Sequence, residues 1–259
     1  MRHKPVVVGI DGTPAAEVAI RWAAAEAASL DTQLRLIHAV TPGTKASRAT
    51  DIVYDSIALV RSIEPDVVVD SRLESGAPST ILMKASGESE LVVIGSRGLG
   101  LMLGALVGSI GLDLAANARC PVIVVRPDLS APGDHVLIGY DGSSASDTAV
   151  EFGLDYARRH DLAVRVVAAQ PPSTELHRIT EAELRDAVHK RGGHDAELIQ
   201  ITGHPAEHIL RLSADANIIV LGARGRGGFA GMLIGSVSQT VLHHAESPVA
   251  IIPAAAQGG

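Results

Sequence analysis

Aromatic side chains are nearly absent: Phe, Tyr and Trp make up 2% of the 259 residues, with a single tryptophan, Trp22. Proteins that hold single-stranded nucleic acid stack its bases on aromatic platforms, and this chain has no supply of them. Runs of Lys and Arg are missing as well. The formal net charge is −7 and the isoelectric point is about 5.9, so no basic face is available to neutralise a phosphate backbone. No nucleic-acid partner is expected. Cysteine is reduced to Cys120, which excludes an intrachain disulfide and favours a cytoplasmic location. At the entrance to an apolar run, Cys120 reads as a small buried hydrophobe rather than a nucleophile. No apolar run reaches the ~20 residues a membrane span requires, and Met1–Pro5 leads into a strand rather than a secretory signal. No membrane partner is expected.

What the chain has in quantity is Ala, Val, Ile and Leu. Hydrophobic residues make up 46% and the mean hydropathy is +0.23, enough for substantial cores. At ~100–200 residues per domain, this length holds one large or two ordinary domains. An internal repeat decides between them. Val8-Gly9-Ile10-Asp11-Gly12 returns as Ile138-Gly139-Tyr140-Asp141-Gly142 at an offset of 130 residues. Leu34–Val40 returns as Val164–Gln170 at the same offset, and Cys120–Val125 returns as Ser247–Ile252 at an offset of 127. The missing residues fall in the variable middle of the unit. The expected domains are residues 1–127 and 134–255, joined by a linker rich in proline and glycine.

Each unit alternates short apolar runs with helical patterns. In the first, strands are predicted at Pro5–Ile10, Leu34–Val40, Val67–Leu73, Leu91–Ile94 and Val122–Val125. Helices are predicted from Thr13 to about Leu30, from about Ser47 to Ile63, from Pro78 to Gly87 and from Ser109 to Ala118. Thr13 reads as an N-cap with Pro14 at the first helical position, and Ser143 or Ser144 opens the matching helix. Alternation of this kind gives an α/β fold: two tandem doubly wound domains, each a parallel sheet covered by helices on both faces. Ligands of such sheets sit beyond the carboxyl ends of the strands.

At that edge the sequence repeats Gly-x2-Gly-x9-Gly-Ser. The positions are Gly95, Gly98, Gly108 and Ser109, then Gly222, Gly225, Gly235 and Ser236. Glycine at this density lets a backbone approach a ligand closely, and a helix beginning at its end aims free N–H groups at an anion. A phosphate chain is the natural guest. Ser109 and Ser236 can donate a hydroxyl to it, or serve as plain N-caps. Arg97 and Arg224 can contact it from within the loop, or simply be solvated. Asp11 and Asp141, just after the first strand, can accept from a ribose hydroxyl or an adenine amine, or hold Mg²⁺. The alternative for each is a turn-forming Asp-Gly. Neither loop contains the lysine of a P-loop, and the dinucleotide fingerprint is absent after the first strand. The histidines recur at no ligand spacing, and no nucleophile elbow is present. No metal site or catalytic residue is expected from them.

On these motifs and the terminal Pro-Val strands, the chain resembles the universal stress protein family in its tandem-domain form. The resemblance covers nearly the whole sequence. It implies five-stranded parallel sheets of order 3-2-1-4-5 and the binding of ATP, with Mg²⁺ as the accompanying ion. By match, Gly9 with Asp11 and Gly139 with Asp141 lie at the nucleotide, the aspartates meeting adenine or ribose. The backbones of Val40 and Gln170 border the adenine. Gly95, Gly98, Gly108, Ser109 and Ile110 hold phosphates in the first unit, and Gly222, Gly225, Gly235, Ser236 and Val237 do so in the second. Arg97, Arg224 and Ser238 complete the expected binding residues. Gly111 stands where Ser238 does, so the second site is expected to be the better formed. Family members pair through their fifth strands, which implies a homodimer or pairing of the two repeats. The implied function is that of an ATP-binding stress-response regulator. The alternatives are a slow Mg-dependent ATPase and a nucleotide-free interaction scaffold.

Overall fold

In the computed structural model the described residues are 4–43, 45–96, 108–126, 133–170, 178–226 and 234–253, with the side chain of residue 170 excepted. They separate into two compact units, Met1–Pro127 and Asp128–Gly259.

The first unit runs β1 (Val6–Gly9), α1 (Pro14–Ser29), β2 (Leu34–Val40), α2 (Ala46–Ile63), β3 (Val69–Ser75), α3 (Pro78–Ser86), β4 (Leu91–Gly95), α4 (Ser109–Asn117) and β5 (Val122–Val125). Its strands are ordered β3-β2-β1-β4-β5, and every pairing is parallel. α1 packs on α2, and α3 on α4. These are the two helical layers that right-handed crossovers demand of this strand order. Val6, Val7 and Val8, like Val92, Val93 and Ile123, are wholly buried, which is why these strands read as unbroken apolar runs.

The second unit repeats the plan: β6 (His135–Gly139), α5 (Ser144–His160), β7 (Ala163–Gln170), α6 (Glu181–His189), β8 (Glu197–Thr202), α7 (Pro205–Leu212), β9 (Ala216–Gly222), α8 (Ser236–His244) and β10 (Val249–Ile252). Its strands are ordered β8-β7-β6-β9-β10, again all parallel. The strand order is the expected one in both units. No described helix is long and apolar enough to cross a membrane.

The helix starts follow from side-chain chemistry. Thr13 Oγ1 accepts the amide of Ala16, with Pro14 in the first turn of α1. In the second unit Ser143, of the two candidates, accepts the amide of Ser146 to cap α5. α1 presents Ala15, Ala16, Ala19, Ala23, Ala24 and Ala27 to the interior and carries Trp22 on its flank, half-buried. Small residues let this helix lie very close to the sheet. A Cβ on Gly95 would stand 2.6 Å from the carbonyl oxygen of Ala15, and one on Gly222 would stand 2.8 Å from Ala145 Cβ. The last residue of β4 and of β9 is therefore glycine for packing reasons in both repeats.

Two expectations need correction. β3 begins at Val69 rather than Val67, because Val68 is 68% exposed on the approach to an edge strand. The valine run suggested burial that the sheet edge does not provide. The N-caps of α4 and α8 are Gly108 and Gly235, and Ser109 and Ser236 are the first helical residues.

Candidate functional site

The turns after β1 and β6 have the same construction. Asp11 Oδ1 accepts from the amide of Thr13 at 3.0 Å and from its hydroxyl at 2.6 Å. Asp141 Oδ1 accepts from the amide and hydroxyl of Ser143 at the same distances, 3.0 and 2.6 Å. Gly12 and Gly142 take up the left-handed backbone these turns need, at φ 76° and 75°. One carboxylate oxygen of each aspartate is thus spent on the turn. The other differs between the units: Asp141 Oδ2 accepts the amide of Arg226 at 2.8 Å, while Asp11 Oδ2 has no partner among the described residues.

Of the glycine loops, Gly95, Ser96 and Gly108 are described in the first unit, and Gly222 to Arg226 with Ile234 and Gly235 in the second. Gly108 N donates to Ser96 O at 3.3 Å, and Gly235 N donates to the matching Ala223 O at 2.8 Å, so both loops return to their starting strand. Neither Gly108 nor Gly235 supplies a side-chain cap, and among the described residues no side chain accepts from the first amides of α4 and α8. Ser109 and Ser236 are exposed at these helix ends, each followed by a half-buried residue, Ile110 or Val237. In the second loop Arg224 O accepts from Ser143 Oγ at 3.3 Å, and Arg226 Nε donates to Gly142 O at 3.2 Å. A Cβ on Gly225 would stand 2.2 Å from Asp141 Oδ2. Arg97 and Gly98 lie outside the described residues.

The remaining positions surround this edge. Gly9 and Gly139 end their strands over Leu82 and Leu221, where an added Cβ would approach to 3.0 and 2.4 Å. The Val40 carbonyl accepts the amide of Gly76 at 3.2 Å. Gln170 ends β7, and its side chain lies outside the description. Ser238 is buried, and its hydroxyl donates to the Gly222 carbonyl at 2.7 Å. It ties the loop base to α8, a bond Gly111 cannot make in the first unit.

Tyr140, just before Asp141, has its phenol pushed up by burial and then by the Asp147 carboxylate, to which it donates at 3.4 Å. Burial pushes the Cys120 thiol up to about 12, consistent with an inert core residue. One cluster escaped the sequence reading. Asp134, His135 and Asp215 bring ligand-type atoms within 4.8 Å of one another at the opposite, amino-terminal end of β6 and β9. His135 Nδ1 faces Asp134 Oδ1 at 2.9 Å and Nε2 faces Arg165 Nη1 at 3.3 Å. A guanidinium only donates, so Nε2 accepts and Nδ1 carries the proton. The hydrogen bond from this ring holds the Asp134 carboxyl below its ordinary value. No local signal announces the cluster, because Asp215 is far from the other two in sequence.

Two parallel α/β units, each ending its fourth strand in a glycine and starting the following helix from a glycine N-cap, define a tandem doubly wound protein. The model of the universal stress protein family matches residues 2–126 and again 133–253. The chain belongs to the universal stress protein family. It is 30% identical over 285 residues to universal stress protein Rv2623 of Mycobacterium tuberculosis, covering 95% of each chain. It is 31% identical over 282 residues to universal stress protein Rv2005c of the same organism, covering 95% of this chain and 96% of the other. A solved universal stress protein from Archaeoglobus fulgidus shares the fold, with a TM-score of 0.79 at 17% identity, over 99% of this chain and 98% of that one.

Proposed function

We propose that each unit binds ATP, with Mg²⁺, at the carboxyl edge of its sheet, and that the protein is a cytoplasmic stress-response regulator rather than a catalyst. The observation that carries the reading is the pair of glycine-capped helix starts. α4 and α8 begin at Gly108 and Gly235 with no side chain on their first amides among the described residues, beside exposed Ser109 and Ser236. An uncapped helix start is a ready anion site, and a phosphate chain is the anion that suits it. Asp11 keeps an oxygen free among the described residues for a ribose hydroxyl, an adenine amine or a metal ion. Mg²⁺, when bound, would offset phosphate charge; Ser109, Ser236 and the two aspartates are the oxygens this chain offers near it. Neither loop contains a lysine, which favours holding a nucleotide over turning it over.

The test is nucleotide extraction and mass spectrometry of the purified protein, then calorimetric titration with Mg·ATP of the wild type, Gly108→Ala and Gly235→Ala. Two equivalents of ATP, reduced to one by either change, support the reading. A wild type that neither carries nor binds adenine nucleotide overturns it and leaves the scaffold alternative. Steady phosphate release that requires Asp11 and Asp141 would instead mark an ATPase.

A further inference from the structure

Among the described residues β3 pairs with β2 alone, so its outer side is an open sheet edge. The ladder decides which backbone groups face that edge. The Val68 carbonyl accepts from the Leu34 amide at 2.9 Å, and the Gly76 amide donates to the Val40 carbonyl at 3.2 Å. Between them the parallel register is regular, from Leu34 beside Val69 to Val40 beside Ser75. Even-numbered residues of β3 therefore turn their amides and carbonyls to β2, and Val69, Ser71 and Leu73 turn theirs outward. Side chains alternate across the sheet, so these three share one face while Asp70 and Arg72 share the other.

Edges that avoid partners are very short, bulged, or carry proline or lysine. β3 has 7 residues, an unbroken register and neither proline nor lysine. It gathers apolar surface instead. The large apolar side chains exposed among the described residues are Tyr54, Val68 and Leu73, all in the first unit. Leu73 lies on β3, Val68 directly before it, and Tyr54 on α2, which packs over β3. Single exposed hydrophobes are ordinary, but these collect at one edge. The matching edge of the second unit, β8, exposes no such side chain among the described residues. Its one charged residue, Glu197, is bonded to Arg165 at 3.0 Å.

The charges on β3 are self-complementary about Ser71. When two copies of the strand run antiparallel, only odd-numbered residues can meet through their outward groups. Centring the pair on Ser71 sets Val69 against Leu73 and Asp70 against Arg72, each twice by symmetry. Within one chain Arg72 already leans toward Asp70, with Nε 3.7 Å from Oδ2, and its side chain is 43% exposed. Sliding the second copy by one hydrogen-bonding step either way sets Arg72 against Arg72 or Asp70 against Asp70. Like charges directly opposite are destabilising, so the pattern favours the Ser71 register.

We propose that the β3 edge is an interface for a second copy of this chain, with β3 pairing antiparallel to β3 about a two-fold axis at Ser71. The outward groups of Val69, Ser71 and Leu73 exchange main-chain hydrogen bonds, which supply the affinity. Val69 and Leu73 cover each other across the axis. The Asp70–Arg72 pairs stay partly solvated, so they add little energy and serve to select the register. The contact is isologous and closes at two chains. It uses the third strand of the unit rather than the fifth. No nucleotide enters it, so its failure leaves the ATP reading intact.

The experiment is sedimentation of the full chain from micromolar concentration to about 1 mM, with residue-resolved amide hydrogen exchange at both ends of that range. A monomer–dimer equilibrium is expected. In the dimer, exchange at the Val69, Ser71 and Leu73 amides should slow by at least about tenfold. Ser71→Pro removes the central outward donor without removing a bond to β2, and Leu73→Lys puts a charge on the edge. Each should raise the dimer dissociation constant at least about tenfold and leave the urea midpoint of the dilute monomer nearly unchanged. Arg72→Glu should weaken the dimer too, and less so at high salt. A chain that stays monomeric throughout, as for an edge reserved for another protein's strand, would overturn the proposal. So would a dimer whose Val69, Ser71 and Leu73 amides exchange as in the monomer, which marks pairing through a different surface. A dimer indifferent to both Ser71→Pro and Leu73→Lys would overturn it as well.

Discussion

The amide of Arg226 donates to Asp141 Oδ2 at 2.8 Å, joining the loop after β9 to the turn after β6 across 85 residues of chain. With Oδ1 bound to Ser143, both oxygens of Asp141 are engaged. Gly225 makes the contact possible, since any Cβ there would meet Oδ2. The loop mouth of the second unit is therefore held by a charged acceptor at a partly solvated place.

Asp141→Asn turns a donor or a weaker acceptor toward the Arg226 amide. Hydrogen exchange at that amide should speed up by about tenfold, equivalent to ~1–1.5 kcal/mol for a charge-assisted bond discounted for exposure. Asp11→Asn should leave exchange at Arg226 unchanged. Equal protection in wild type and Asp141→Asn would show that the contact does not hold the loop.

The glycines of the repeated motif divide into two kinds. Gly95→Ala and Gly222→Ala force a Cβ into the start of α1 or α5 and should cost ~1–3 kcal/mol by urea denaturation. Gly108→Ala meets nothing within 4 Å, and Gly235→Ala meets its nearest atom at 3.5 Å. These two should change stability by less than ~0.5–1 kcal/mol, the N-cap difference between glycine and alanine, while weakening nucleotide binding. Equal destabilisation by all four would remove the distinction.

This division marks how far the sequence could be read. β2 and β5 fall on their expected residues, because a fully buried parallel strand is a continuous apolar run whose ends are abrupt. The Thr13 cap with Pro14 was legible because capping is local chemistry. β3 slipped by two residues, since an edge strand is half-solvated and its valines carry no burial signal. In the loops, spacing revealed that glycine was needed but not why. Gly95 answers to Ala15 and Gly225 to Asp141, and such pairings exist only after the chain has folded. The His135 cluster was hidden for the same reason.

Ser238 offers a third test. Its buried hydroxyl is bonded to the Gly222 carbonyl, so Ser238→Ala should destabilise the second unit by ~1–2 kcal/mol and loosen the loop base. Gly111→Ala, at the matching place in the first unit, removes no such bond. Identical losses in urea midpoint would show that the hydroxyl contributes nothing there.

Cys120 gives a pH dependence with a definite sign. Its folded-state value near 12 lies above the ordinary ~8.5, so the folded state holds the proton more tightly. The associated stability is complete below about pH 8.5 and falls at up to ~1.4 kcal/mol per pH unit above it, levelling off near 12. Cys120→Val should flatten this alkaline slope. At pH 8 the native thiol should resist alkylation and react only on unfolding; rapid labelling of folded protein would contradict its burial.

Trp22 on α1 shares the first unit with that cysteine, and the second unit has neither residue type. Intrinsic tryptophan emission and thiol chemistry thus watch one repeat, while calorimetry records the heat of both. Subtracting the melting curve of selectively excited tryptophan from the thermal one isolates the tryptophan-free repeat without cutting the chain or attaching a dye.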